Sequence, residues 1–225
     1  MEQMGMVTLG IIIVNGLFSY KGFTDSIFFD KYLFQVNKVL YEKQYYRLLT
    51  SGFLHADWSH LLFNMLSFYS FANNLEDLLG PAKFLIIYFA SLLGGDMLAL
   101  IIHKKQGNYR AVGASGAVCG VIFAAIALFP GIEVGFLFIP VPIPGWIFGI
   151  GYALYTIYGI RSNTGNIGHE AHLGGALIGL TTAIIVEPRA LEVNLVPILL
   201  IAAPSVLFIL ILVIKPEILL GKRND

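Results

Sequence analysis

The stretch Gly113-Ala114-Ser115-Gly116-Ala117 sets one serine in a small-residue turn where an apolar segment begins. Such a serine can act as a nucleophile: flanking glycines admit a substrate or another backbone, and the amides at a helix start face any anion formed beside them. The same turn is also found as an ordinary helix start with serine as the N-cap, so chemistry requires partners. A hydroxyl becomes nucleophilic at neutral pH when a base takes its proton, and histidine is the usual base. His172 is the best-placed histidine, because Gly174 and Gly175 follow it and allow another helix to come close. His169 lies nearer the preceding loop and is expected to be more solvated. The plain alternative is a histidine packed in a polar helix junction.

His60 and Asn64 are four residues apart, hence on one helix face, and both can donate to a developing oxyanion. Together with the Ser115 amide they would make an oxyanion hole; as intramembrane polar residues they would equally serve to join helices. His55, His60, His169 and His172 also raise the question of a metal, and His169-Glu170-Ala171-His172 superficially resembles a zinc motif. In His-Glu-x-x-His, however, the histidines are four apart and share a face, whereas these are three apart. No metal and no cofactor are assigned. Cys119 is the single cysteine, so no internal disulfide is possible, and its apolar helical setting suits packing.

These residues are carried by a membrane protein. The chain has 225 residues, of which 57% are hydrophobic and 12% charged, with a mean hydropathy of +0.77, outside the range of soluble domains. We read one integral domain of about seven spans, at about 4–20, 60–78, 81–102, 115–129, 145–160, 169–186 and 194–214. The first span lacks a basic leader and a small-residue cleavage site and is read as retained. Residues 21–58 set Phe28, Phe29, Tyr32, Phe34, Tyr41, Tyr45 and Tyr46 among lysines and acids, a composition suited to the membrane interface. A loop with Pro140, Pro142 and Pro144 is too proline-rich for a continuous helix.

Alternate spans run in the same direction, so the second, fourth and sixth all start on one face, and those starts hold His55, His60, Ser115, His169 and His172. The fourth span, at 1.5 Å per residue, covers about 22 Å of a core roughly 30 Å thick, so it begins below the surface. Non-helical backbone at that depth must be buried in protein or reached by water, which implies a polar cavity with Ser115 at its floor. Gly116-x-x-x-Gly120 and Gly175-x-x-x-Gly179 are small faces on which the fourth and sixth spans can pack closely.

Taken together, these motifs resemble the rhomboid family of intramembrane serine proteases. The resemblance rests on Tyr46-Arg47, His55-x-x-x-x-His60-x-x-x-Asn64, Leu75-Glu76, Gly113-Ala114-Ser115-Gly116 and Ala171-His172-x-x-Gly175-x-x-x-Gly179. It implies an all-α, polytopic bundle with a core at about 4–187 and an extra C-terminal span at about 194–214. It further implies that Ser115 and His172 form a catalytic dyad without an acidic third member, with His60, Asn64 and the Ser115 amide stabilising the oxyanion. Arg47, His55 and Glu76 would be structural polar positions, and Gly113, Gly116, Gly175 and Gly179 supporting ones. Its substrates would be transmembrane proteins cut in or near their membrane-spanning segment, with access controlled by the fifth span and the loop at 161–168. Some relatives place an aromatic ring four residues after the serine, packed on the histidine; here that position is Cys119, which leaves the ring's support unassigned.

Charge bears on partners and orientation. With 14 basic and 14 acidic residues the chain is neutral, and nothing points to nucleic acid; the bilayer and transmembrane substrates are the expected partners. The loops on the Ser115 face plus the C-terminus hold 12 of the 14 basic residues, which by the positive-inside rule would turn that face to the cytoplasm. The resemblance implies a bacterial-type plasma-membrane protein with an extracytoplasmic site, and that is the orientation expected here. The alternative to a protease is an inactive relative that binds membrane clients; the discriminating feature is the presence of Ser115 together with His172, which such relatives typically lack. A transporter is not supported, because no inverted repeat is visible.

Overall fold

The computed structural model describes residues 4–136, 139–162 and 167–220. The chain opens with α1 (Met6–Thr24), followed by the short α2 (Ser26–Tyr32), strand β1 (Phe34–Gln35), α3 (Val36–Leu40) and α4 (Arg47–Thr50) with a 3-10 turn at Ser51–Phe53. Then come α5 (Trp58–His103), β2 (Arg110–Ala111), α6 (Ser115–Leu128), the strands β3 (Glu133–Phe136) and β4 (Ile139–Pro144), and α7 (Gly145–Ser162). α8 (His169–Val186), α9 (Ala190–Ile214) and α10 (Pro216–Leu220) complete it.

The 46 residues of α5 are two spans, because Gly80, at φ 74° ahead of Pro81, breaks the helix. Phe68 lies 6.0 Å from Phe84 and 5.5 Å from Tyr88, ring to ring. In a straight helix those partners would be about 24 and 30 Å away, so the two halves fold back on each other. With α1, α6, α7, α8 and α9, the protein is a multi-pass helical membrane bundle.

The short elements depart from an all-helical reading. β1 pairs antiparallel with β2, lacing the first loop to the approach to α6, and β3 pairs with β4 in a hairpin with Val134 opposite Ile143. Pro142 and Pro144 fit there because, among the described residues, β4 pairs on one side only, which leaves room for residues lacking an N–H. α9 begins at Ala190, and Asn194, expected to open the last span, is instead a non-helical residue at φ −141° inside it.

The centre is a seam where α5, α6 and α8 meet through glycine. A methyl group on Gly175 would overlap the Gly116 carbonyl, and one on Gly179 would overlap the Gly120 backbone. On the other side, a Cβ at Gly174 would lie 2.7 Å from the Gly94 carbonyl oxygen. Lipid tails are as apolar as leucine, so helices in a membrane gain from close backbone packing, which only small residues permit.

Glu76 has a structural task at the opposite face. α1 has no capping side chain of its own; the Glu76 carboxylate instead accepts from the Val7 and Thr8 amides at 2.9 and 2.8 Å and from the Thr8 hydroxyl at 2.8 Å. Asn73, one turn earlier on the same face, accepts from the Gly5 amide at 2.7 Å. A negative group at the first turn of α1 satisfies orphan donors and complements the helix dipole.

Candidate active site

Ser115 is the first helical residue of α6, and Ala114 occupies the N-cap position without a side-chain cap bond. The serine is therefore not serving as an N-cap. Its Oγ instead hydrogen-bonds His172 Nε2 at 2.7 Å, joining the start of α6 to the first turn of α8. Both residues are partly exposed, while Gly116, Gly174 and Gly175 around them are buried.

The turn before Ser115 is held through its own amides, one on a backbone carbonyl and one on a buried side chain. The Gly113 amide donates to the Ser51 carbonyl at 3.0 Å and the Ala114 amide to His55 Nε2 at 3.4 Å. Gly113 has φ 131°, a conformation open to glycine, and a Cβ there would lie 2.8 Å from the His60 ring. The first intrahelical bond of α6 runs from the Val118 amide to the Ala114 carbonyl, so the Ser115 amide precedes it and has no helical acceptor. The non-helical backbone before α6 is thus paired inside the protein.

His55 organises this corner. It is fully buried, with Nδ1 2.8 Å from the Ser19 hydroxyl, which itself donates to the Phe53 carbonyl. Nδ1 must then carry the hydrogen and Nε2 must accept from Ala114, the neutral form. Burial pushes its pKa down to about 3, in agreement.

His60 and Asn64 line the other side. The Asp57 side chain caps α5 by accepting from the His60 amide at 2.8 Å, which fixes that residue at the helix start. His60 Nδ1 accepts a long 3.4 Å bond from the Ala56 amide, so Nε2 carries the hydrogen and faces Gly113 beside Ser115. Asn64 is buried one turn on, and one of its N–H groups goes to the His60 carbonyl at 2.9 Å, leaving the second for the site. Arg47 is remote from the pair: its guanidinium bonds the Leu33 and Asp30 carbonyls at 2.6 and 2.9 Å and Gln44 at 2.7 Å, fixing the first loop.

His169 corrects the sequence expectation of a solvated ring. It is 4% exposed, packed against Gly159 of α7 and edge-on to Tyr155 at 5.1 Å. The reason is that α7 closes over the start of α8. The expected access loop, 161–168, lies for residues 163–166 outside the described residues.

Three features were not singled out in the sequence. Tyr152 of α7 hydrogen-bonds His172 Nδ1 at 3.0 Å, and its ring lies nearly parallel to the imidazole, 22° apart. Asp96, buried in the second half of α5, accepts from the Ser51 hydroxyl at 2.8 Å, behind the carbonyl that holds Gly113. Glu170 pairs with His103 at 2.8 Å, fixing the first turn of α8 to the end of α5. Phe148, Tyr152 and Tyr155 recur at helical spacing along α7, and that aromatic stripe was the available signal.

The fold and the site define a class, a polytopic helical membrane protein with a serine and a histidine hydrogen-bonded where two helix starts meet. The Rhomboid domain family model matches residues 42–189, and the chain belongs to the rhomboid family. It is 30% identical to RHOMBOID-like protein 12, mitochondrial, of Arabidopsis thaliana over 189 residues, 76% of this chain and 56% of that one. Rhomboid protein 1, mitochondrial, of Saccharomyces cerevisiae is 31% identical over 137 residues, 59% of this chain and 39% of that one. A rhomboid protein of Bacillus subtilis is 39% identical over 88 residues, 38% of this chain and 43% of that one. The chain therefore spans about half the length, or less, of these relatives.

Proposed function

We propose that this protein is an intramembrane serine endopeptidase that cleaves transmembrane substrates in or near their membrane-spanning segment. The observation that carries the reading is the 2.7 Å bond between Ser115 Oγ and His172 Nε2. In the acylation step Oγ attacks the peptide carbonyl carbon while its proton passes to Nε2. The Ser115 amide, His60 Nε2–H and the second Asn64 N–H then donate to the oxyanion. Collapse sends the proton from Nε2 to the leaving amine and leaves an ester on Ser115. Water, deprotonated by the same nitrogen, hydrolyses that ester and restores the serine.

The test compares purified wild-type protein, Ser115→Ala and His172→Ala on a model transmembrane substrate in detergent. Both variants should fall to background, and cleavage by Ser115→Ala would overturn the mechanism. A wild type that binds the substrate without cutting it would favour the inactive, client-binding alternative instead. Activity should survive chelators; loss on chelation with rescue by zinc would point to a metal enzyme. The proposal carries an extracytoplasmic site in a bacterial-type plasma membrane, as the resemblance implies and against the basic-residue count. A reporter after Asp225 should then read extracytoplasmic and one at Met1 cytoplasmic; the reverse result would turn the site inward.

A further inference from the structure

We infer that Tyr152, carried on the neighbouring helix α7, is the positioning residue that holds His172 in the tautomer and plane the dyad needs. This rests on the proposed serine chemistry. For His172 Nε2 to accept the Ser115 proton, Nε2 must be bare and the imidazole hydrogen must sit on Nδ1. Nδ1 faces the Tyr152 hydroxyl at 3.0 Å. The phenol oxygen is then the acceptor, and its own hydrogen needs a second partner. Cys119 Sγ supplies one at 3.1 Å. The order Ser115 hydroxyl, His172, Tyr152 hydroxyl, Cys119 sulfur uses each donor once and leaves no hydrogen facing another.

Packing fixes the plane. Phe148 stacks on Tyr152 with centroids 5.5 Å apart and 19° between the rings, and Tyr152 lies at 22° to His172. Phe148 and Tyr152 are four apart on α7 and so present one face. A carboxylate would hold Nδ1–H more strongly, and a buried charge there would need its own compensation. A neutral phenol orients the ring without one. The lone cysteine thereby acquires a part in the site as the acceptor that turns the phenol, and the ring support left open by Cys119 at four residues past the serine is met from α7.

The test uses the full chain in detergent with the model transmembrane substrate. Tyr152→Phe keeps the ring and removes the acceptor; kcat should fall about tenfold, the effect of losing one buried hydrogen bond, with KM unchanged. Cys119→Ala should lower kcat less, about threefold, and have no further effect in the Tyr152→Phe background. Thermal unfolding should stay within a few degrees of wild type for both. 15N spectra of histidine-labelled protein, with His172 identified by its loss in His172→Ala, should show the Nδ1–H tautomer in wild type and its loss in Tyr152→Phe. A wild-type kcat for Tyr152→Phe, additive Cys119 and Tyr152 effects, or an Nε2–H tautomer in the wild type would overturn the assignment. Cleavage by Ser115→Ala sinks the protease reading separately, and the tautomer still judges Tyr152 on its own.

Discussion

The serine and the histidine of the candidate dyad are held in different ways. Ser115 stands on a buried frame: the Gly113 amide is tied to the Ser51 carbonyl, the Ala114 amide to the buried His55 ring, and the glycine seam packs α6 directly on α8. The His172 ring depends on side chains from α7, through the Tyr152 hydroxyl and the stacked Phe148. A closely packed, fully buried frame is stiff and fails by unfolding, whereas a support at the partly exposed site can be removed one hydrogen bond at a time. Substitutions on the serine side should therefore be read in stability, and those on the α7 side in turnover.

The strongest test of that division is the seam. A methyl at Gly175 overlaps the Gly116 carbonyl, and backbone has no rotamer with which to yield. Gly175→Ala should destabilise the protein by about 3 kcal/mol, the upper range for overpacking, and Gly179→Ala similarly. Denaturation in mixed micelles checks this; a wild-type midpoint for Gly175→Ala would mean that the helices can separate freely.

Acid should attack the same frame through His55. Its pKa is depressed from about 6.5 to about 3 by burial, so the folded state binds its proton only at much lower pH than the unfolded chain. The stability contributed is present above pH 6.5 and is lost as pH falls toward 3, at up to about 1.4 kcal/mol per pH unit. Unfolding midpoints followed from pH 7 to 4 should drop, and His55→Gln should flatten the slope while lowering the neutral value. An equal slope in the variant would assign the acid sensitivity elsewhere.

Most of the frame was legible in the sequence because it depends on periodicity and small residues. Gly80-Pro81 marks the turn between two spans, and the paired GxxxG patterns mark the seam. His60, Asn64, Ser115 and His172 come together because their helix starts share a face. What could not be read is what depends on the facing of side chains between helices. Tyr152 is one of several aromatics on α7, and only the packed bundle shows which ring meets His172. His169 looked solvated because sequence distance to a loop says nothing of a neighbouring helix that covers it. The β1–β2 pairing joins residues 34–35 to 110–111, a separation at which two-residue strands leave no signal.

Glu76 lies far from both halves of the site and separates folding from chemistry. Glu76→Ala removes the acceptor of the Val7 and Thr8 amides and should destabilise α1 docking by about 1–2 kcal/mol, with Glu76→Gln milder because its carbonyl still accepts. Hydrogen exchange of the first turn of α1 is the direct readout. Turnover at a temperature where the variant remains folded should match wild type, and a kcat loss without added exchange would show that the α1 start is coupled to the dyad.

The smallest effect concerns the last span. Asn194, at the non-helical point of α9, donates its amide to the Ile126 and Ala127 carbonyls at 2.7 and 3.2 Å, satisfying acceptors that the end of α6 leaves open. Asn194→Ala should destabilise by about 1 kcal/mol, since the carbonyls of the buried Ile126 and Ala127 lose their donor. The change falls at the far end of α6 from Ser115, so kcat should be untouched while the midpoint drops. If kcat falls instead, the C-terminal span transmits strain along α6 to the nucleophile, and the serine side would no longer be a self-contained frame.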